Sequence, residues 1–228
     1  MHRISVAVVS LVAVTLLARS ASAQDASNKV ASGGISVAGW SGTTEEAGQT
    51  INNSKFAMEG KDLHVTTGPA TTYWSAANMG SGKYTVKATF TEAKFQNLND
   101  HPHPYGIVIA GNDMGTATQS YLYCAANGNG SFIVRGFGPA AFQVNGRRGE
   151  VNAAVHKAAA KGEPVTNEVA VAVTADKIEC SINGAVVGSY AKADLVAAGK
   201  LKSTDGMYGV RFAHNTEGMV SGLTMTKQ

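Results

Sequence analysis

The segment His101-Pro102-His103-Pro104 sets two imidazoles at i and i+2. On an extended chain these positions project to the same side. That spacing suits two ligands of a metal, with the rest of the shell drawn from His64, His156, His214, Asp100 or Asp113. Each of the two histidines also precedes a proline, which biases it to extended geometry. The simpler reading is a stiff surface loop at the rim of a binding face, and no metal and no cofactor is expected. Carboxylates are the other source of chemistry. Glycoside hydrolysis uses two of them flanking the scissile bond. Here Glu92, Glu168 and Glu179 stand singly in strand-like runs, and Glu45-Glu46 are adjacent, so on a strand they face opposite ways. There is no Glu-x-Asp-x-x-Glu string, no Gly-x-Ser-x-Gly elbow and no His-Glu-x-x-His pair. Gly136-Phe137-Gly138-Pro139 lacks the lysine and helix start of a phosphate loop.

The aromatic residues point to binding instead. The sequence has two cysteines, Cys124 and Cys180. In an oxidising compartment such a pair is readily a disulfide, the alternative being two buried thiols. If they are bonded, both face one buried side, with Leu122, Ile178 and Ile182. Tyr121 and Tyr123 then face the other way and offer two rings on which a sugar could stack. The alternative is that a loop covers this face and the tyrosines are core. Trp40, Trp74 and Tyr73 are further aromatic candidates. Arg135 and Arg211 interrupt apolar strands, and Arg211 alternates away from Tyr208, Val210 and Phe212. A guanidinium so placed could hold a carboxylate or a pair of hydroxyls, or could lie on a solvated strand face. The expected ligand-binding set is therefore Tyr121, Tyr123, Arg135, Arg211, His101 and His103.

Strands must position these residues. Tyr84 to Phe90 and Lys177 to Ile182 alternate apolar and polar side chains, the period of a half-buried strand. Val169, Val171 and Val173 share a face. Asn183-Gly184 between two such runs predicts a two-residue hairpin, because both central positions of a type I′ turn need positive φ. Turns are also expected at Glu59 to Asp62, at Asn127 to Gly130 and at Thr174 to Asp176. About twelve strands at short spacing predict an all-β sandwich or barrel. Two short helices are expected, over Asn152–Lys161, which is alanine-rich and stops at Gly162, and over Ala193–Ala198.

At the N-terminus Met1-His2-Arg3 is followed by an apolar run from Ile4 to Ala18 and by Ala21-Ser22-Ala23. This is the pattern of a signal peptide cleaved after Ala23, and the run is too short for a membrane span. Residues 24–34 read as a flexible tail and residues 35–228 as one domain. Without Arg3 and Arg19 the 19 basic residues fall to 17 against 16 acidic, a net charge of +1. No basic cluster beyond Arg147-Arg148 suggests a nucleic-acid partner. A periplasmic or extracellular location is expected.

The order of elements in the C-terminal half, with Asp176 to Tyr190 as a hairpin and Gly206-Met207-Tyr208-Gly209-Val210-Arg211-Phe212 before a final strand, resembles a concanavalin A-like lectin/glucanase domain. It is similar to the secreted 3-keto-disaccharide hydrolase group, and Gly82 to Phe90 and Tyr105 to Gly111 fit the same plan. The resemblance covers roughly residues 54 to 226 and rests on structural motifs. It implies an antiparallel two-sheet jelly-roll sandwich with one concave sheet, a face on which relatives bind sugars. The function that follows is an exported carbohydrate-binding protein with a glycan ligand and no evident catalytic motif. The alternatives are a glycoside-processing enzyme of the 3-keto-disaccharide hydrolase type and a structural or protein-binding component of the cell envelope.

Overall fold

The computed structural model describes residues 26–96 and 103–228. The expected signal peptide, Asp100 and His101 fall outside the described residues. In chain order the strands are β1 (Gly34–Ile35), β2 (Trp40–Thr44), β3 (Lys55–Glu59), β4 (Asp62–Thr66), β5 (Thr71–Gly80), β6 (Tyr84–Glu92), β7 (Tyr105–Asn112) and β8 (Ser120–Ala126). They continue as β9 (Ser131–Gly138), β10 (Ala140–Gln143), β11 (Glu150–Val151), β12 (Val165–Val173), β13 (Lys177–Ile182), β14 (Ala185–Ala191), β15 (Gly206–Phe212) and β16 (Glu217–Lys227). A single turn of helix, α1 (Lys192–Leu195), follows β14, and a 3₁₀ turn at Ile51–Asn53 precedes β3.

These strands form two sheets packed face to face. The first has the order β1-β3-β4-β16-β6-β12-β13-β14, and the second β10-β9-β8-β7-β15-β5-β2, with β11 beside β9. All pairings are antiparallel except β1 with β3. This is the concanavalin A-like jelly roll. Alternation decides which side chains enter the core. In β6, Tyr84, Val86, Ala88, Phe90 and Glu92 are buried while the residues between them are not. In β12 Val165, Asn167, Val169, Val171 and Val173 do the same. Aromatic rings fill the middle, where Phe56 stacks on Tyr73 at 4.3 Å and Phe90 on Tyr105 at 5.7 Å.

Asn183 and Gly184 both take positive φ, 50° and 82°, and make the expected hairpin between β13 and β14. The expected helix over Asn152–Lys161 is absent. Its backbone donors are used elsewhere: Asn152 donates to the Gly130 carbonyl, Ala158 to that of Gly128, and His156 to Asn167 Oδ1. Val155 is buried as a plug at this end of the sandwich. Tertiary partners for these groups outweigh the helix propensity of a few alanines. The segment before β1 is also tied down. Asn28 N donates to Asn215 Oδ1, Val30 N to the Asn53 carbonyl, and Ser27 Oγ to Glu46.

Cys124 on β8 and Cys180 on β13 form a disulfide across the two sheets, with Cα atoms 6.0 Å apart. Both are about 1% exposed. Their 56-residue separation makes the bridge worth about 4 kcal/mol in the chain-entropy account. Replacing both cysteines by serine is expected to lower the melting temperature by roughly 10 °C, measured by calorimetry in the absence of reductant.

Candidate functional site

The outer face of the second sheet, turned away from the core, collects most of the expected binding residues. Strand register explains how. Arg135 on β9 lies opposite Tyr123 on β8, which lies opposite Val108 on β7. One pair along, Phe137 lies opposite Tyr121. Across the sheet Arg211 on β15 sits between Gly106 on β7 and Thr72 on β5, while Gly209 sits between Val108 and Trp74. The glycines at 106 and 209 let neighbouring backbone approach closely. A Cβ on either would meet backbone within 2.0 Å, so no other residue fits there.

Tyr121 and Tyr123 do face away from the core, but they are not an open platform. They are 0% and 1% exposed, and they belong to a second apolar cluster with Val108, Ala125 and Ile133, against which Met114 and Phe137 pack. Gly115 lies against Trp74, which is itself buried. The segment between β7 and β8 thus lies over part of this face. It is held by an ion pair between Lys202 and Asp113 and by Thr118 Oγ1 donating to Asp113 Oδ2.

Arg211 is not on a solvated face either. It is 5% exposed, and Glu45 clamps it with Nε–Oε1 and Nη2–Oε2 distances of 2.8 Å. Its guanidinium carbon lies 4.7 Å from the centre of the Tyr123 ring, and Nη1 donates to the Pro104 carbonyl. Burial alone would lower its pKa, but the Glu45 carboxylate and Tyr123 push it further up, so it stays charged. Burial raises the Tyr121 and Tyr123 phenols, which stay neutral. His103 is buried beside this group, with Nδ1 2.6 Å from the His214 carbonyl and its ring edge-on to that of His214 at 4.6 Å.

The margin of the face is more accessible. Arg135 is half-buried and donates from Nε to Gln143 Oε1 on β10. Beside it Phe137, also half-buried, stacks on Tyr121 at 4.8 Å with planes 21° apart. Sequence reading missed Phe137, Gln143 and Glu45 in this group. Phe137 could have been found, since it lies two residues after Arg135 and so shares its face. Glu45 could not, because its partner lies 166 residues away.

The other candidates are dispersed. His64 on β4 has Nδ1 3.0 Å from Glu59 and Nε2 2.9 Å from Glu217, on the opposite sheet. His156 Nδ1 bonds the Thr166 carbonyl. Among the described residues no group of three His, Cys, Asp or Glu side chains could hold a metal. Glu168 pairs with Lys87 at 3.5 Å, and Glu179 accepts from Ser189. Glu92 ends β6 on the inward face and is 1% exposed. Oε1 accepts from Gln96 N, while Oε2 lies against Gly128 and has no hydrogen-bond partner among the described residues. Glu92 therefore points between the two sheets from the first, whereas Glu45 lies on the outer face of the second, and they do not form a pair about one bond.

The site and fold together define a concanavalin A-like sandwich whose second sheet carries an aromatic and guanidinium-bearing outer face. No protein-family model matches the chain, and no curated protein matches it. Among solved structures it is similar to the carbohydrate-binding module CBM66 from Bacillus subtilis, with 10% identity and a TM-score of 0.55, over 83% of this chain and 96% of that one. It is similar too to a protein of unknown function with a galectin-like fold from Bacillus subtilis, with 11% identity and a TM-score of 0.54, over 82% and 89% of the two chains. At such identities the likeness is one of fold.

Two outcomes follow from these buried charges. Glu45→Ala strands a buried guanidinium and is expected to cost about 3 kcal/mol in chemical denaturation. Replacing both partners by apolar residues, Glu45→Leu with Arg211→Met, should recover most of that loss. Burial pushes the Glu92 carboxyl up to about 7. In the unfolded chain it ionises near the ordinary glutamate value, so the folded state holds its proton longer. Stability is therefore favoured below the unfolded value and falls as the pH rises towards 7. Glu92→Gln should remove this fall, giving a gain of roughly 3 kcal/mol at pH 8 and little change at pH 4, read from denaturation midpoints at the two pH values.

Proposed function

We propose that this protein is an exported glycan-binding sandwich of the lectin type, with its ligand on the outer face of the second sheet. The observation that carries the reading is the exposed margin of that face. There Phe137 offers a ring backed by Tyr121, and Arg135 and Gln143 stand beside it with polar groups in position for sugar hydroxyls. Beneath them Tyr123 and the Glu45-clamped Arg211 form a rigid charged floor. His103 belongs to that floor, next to Pro104, whose carbonyl Arg211 binds. The fold it shares with a carbohydrate-binding module supports the same reading.

Export is supported by the N-terminal pattern from Met1 to Ala23 and by the disulfide, which needs an oxidising compartment. Among the described residues no helix is long and apolar enough to cross a membrane. The reading is of a binding protein rather than a glycosidase because Glu45, the carboxylate beside Arg211 on the outer face, is held by both oxygens on that guanidinium. A general acid and a second carboxylate about one bond are what hydrolysis uses.

The test is a glycan-array screen of the purified chain from Gln24 onward, with and without calcium. At least one glycan should bind reproducibly. Arg135→Ala should weaken that binding about tenfold while the melting temperature stays within a degree or two. Silence across the array from protein shown to be folded would overturn the proposal.

A further inference from the structure

The two sheets do not close on each other along their whole length. Where β2, β5 and β15 of the second sheet meet β3, β4 and β16 of the first, they leave a cleft of about 630 Å³. Its apolar walls include Trp40, Tyr208, Leu63 and Leu223, with Met58, 48% exposed, at the edge. Trp40 packs on Phe56 at 5.0 Å, and Phe56 stacks on Tyr73. The two inner rings are fully buried and Trp40 is not, so Trp40 is the accessible end of an aromatic column that runs into the core.

Two backbone irregularities, one from each sheet, meet at this cleft. The pairing of β15 shifts register between Met207 and Gly209, the position of Tyr208. The pairing of β16 with β6 shifts between Ser221 and Thr224, around Gly222, whose φ is +64°. The second shift changes which residues face inward. Val220 enters the core before it, and Leu223 and Met225 pack on the core after it. Bulges re-aim side chains and interrupt pairing, and both of these serve to place cleft residues.

The polar side chains of the cleft are uncommitted. Among the described residues Asn78, Ser221, Lys61 and Asp62 make no side-chain hydrogen bond or ion pair within the protein. The Lys61 and Asp62 charges cancel, so the cleft favours neither an anion nor a cation. It offers aromatic faces to ring C–H groups and an amide, a hydroxyl, an ammonium and a carboxylate to hydroxyls. Its volume lies in the range of small-molecule sites.

We propose that this cleft is a binding site for a neutral saccharide of one or two rings, separate from the outer face of the second sheet. The inference stands whether or not the outer face binds a glycan.

The chain has two tryptophans, Trp40 in the cleft and Trp74 buried on the outer face, so a ¹H–¹⁵N spectrum shows two indole signals. Trp40→Phe assigns them by removing one. Methyl glucoside, sucrose, trehalose, lactose and cellobiose are titrated in turn, with decanoate as an apolar control. At least one sugar should move the Trp40 indole to saturation and leave the Trp74 indole in place. Asn78→Ala, at a half-buried position near the end of β5, should weaken that binding about tenfold while the melting temperature stays within a degree or two. Three results overturn the proposal: no sugar moves the Trp40 signal, decanoate alone moves it, or Asn78→Ala leaves the affinity unchanged. A sugar that moves only the Trp74 signal, and whose binding is lost in Arg135→Ala, also overturns it while leaving the outer-face reading intact.

Discussion

The central strands of the second sheet, β7 and β8, are buried on both faces, and much of the structure answers to that constraint. The sheet's inner face meets the first sheet across a core of aromatic and β-branched side chains, locked by Cys124–Cys180. Its outer face holds a second apolar cluster around Tyr121 and Tyr123. As a result every residue of β8, from Ser120 to Ala126, is buried. A charge on such a sheet has no water to turn to, so it must find a partner inside the protein. Arg211 finds Glu45, the Tyr123 ring and the Pro104 carbonyl. The attraction between the two charges mostly offsets their desolvation, so the pair contributes less to stability than to geometry. It fixes the chain after β2 against β15 and keeps Tyr123 in place.

Much of the fold was legible in the sequence because a sandwich depends on a period of two. Alternation in β6, β12 and β13 identified the inward residues, and Asn183-Gly184 located a hairpin from its φ requirement alone. Alternation also turned Tyr121, Tyr123 and Arg211 to the face opposite Cys124 and Phe212. What it could not report is whether that face is covered, since a side chain's direction is local and its burial depends on distant segments. Glu45, Met114 and Gly115 reach this face from other parts of the chain. The same limit explains Asn152–Lys161. Its alanines favour a helix, yet Asn167 and the Gly128 and Gly130 carbonyls, all remote in sequence, take its donors. Bulges are the third omission. Nothing in the run Glu217 to Lys227 announces that inward parity changes after Ser221, although Gly222 is the one residue there that takes positive φ without strain.

The contrast between the outer face and the cleft turns on which polar groups are already used. On the outer face the guanidinium of Arg211, both oxygens of Glu45 and the Nε of Arg135 are bound within the protein. A ligand at the proposed outer site would stack on Phe137 and reach Arg135, over a floor already fixed by the Arg211–Glu45 pair. Preorganisation of that kind lowers the cost of ordering on binding. In the proposed cleft site the polar groups have no side-chain partner among the described residues, and a ligand there would have to replace solvent while matching its hydrogen bonds. Fixed aromatic walls set by two bulges are what make such an exchange favourable for a ring with apolar edges. The two proposed sites would thus hold a sugar by different balances of the same forces. One is rigid and largely satisfied, the other open and unsatisfied.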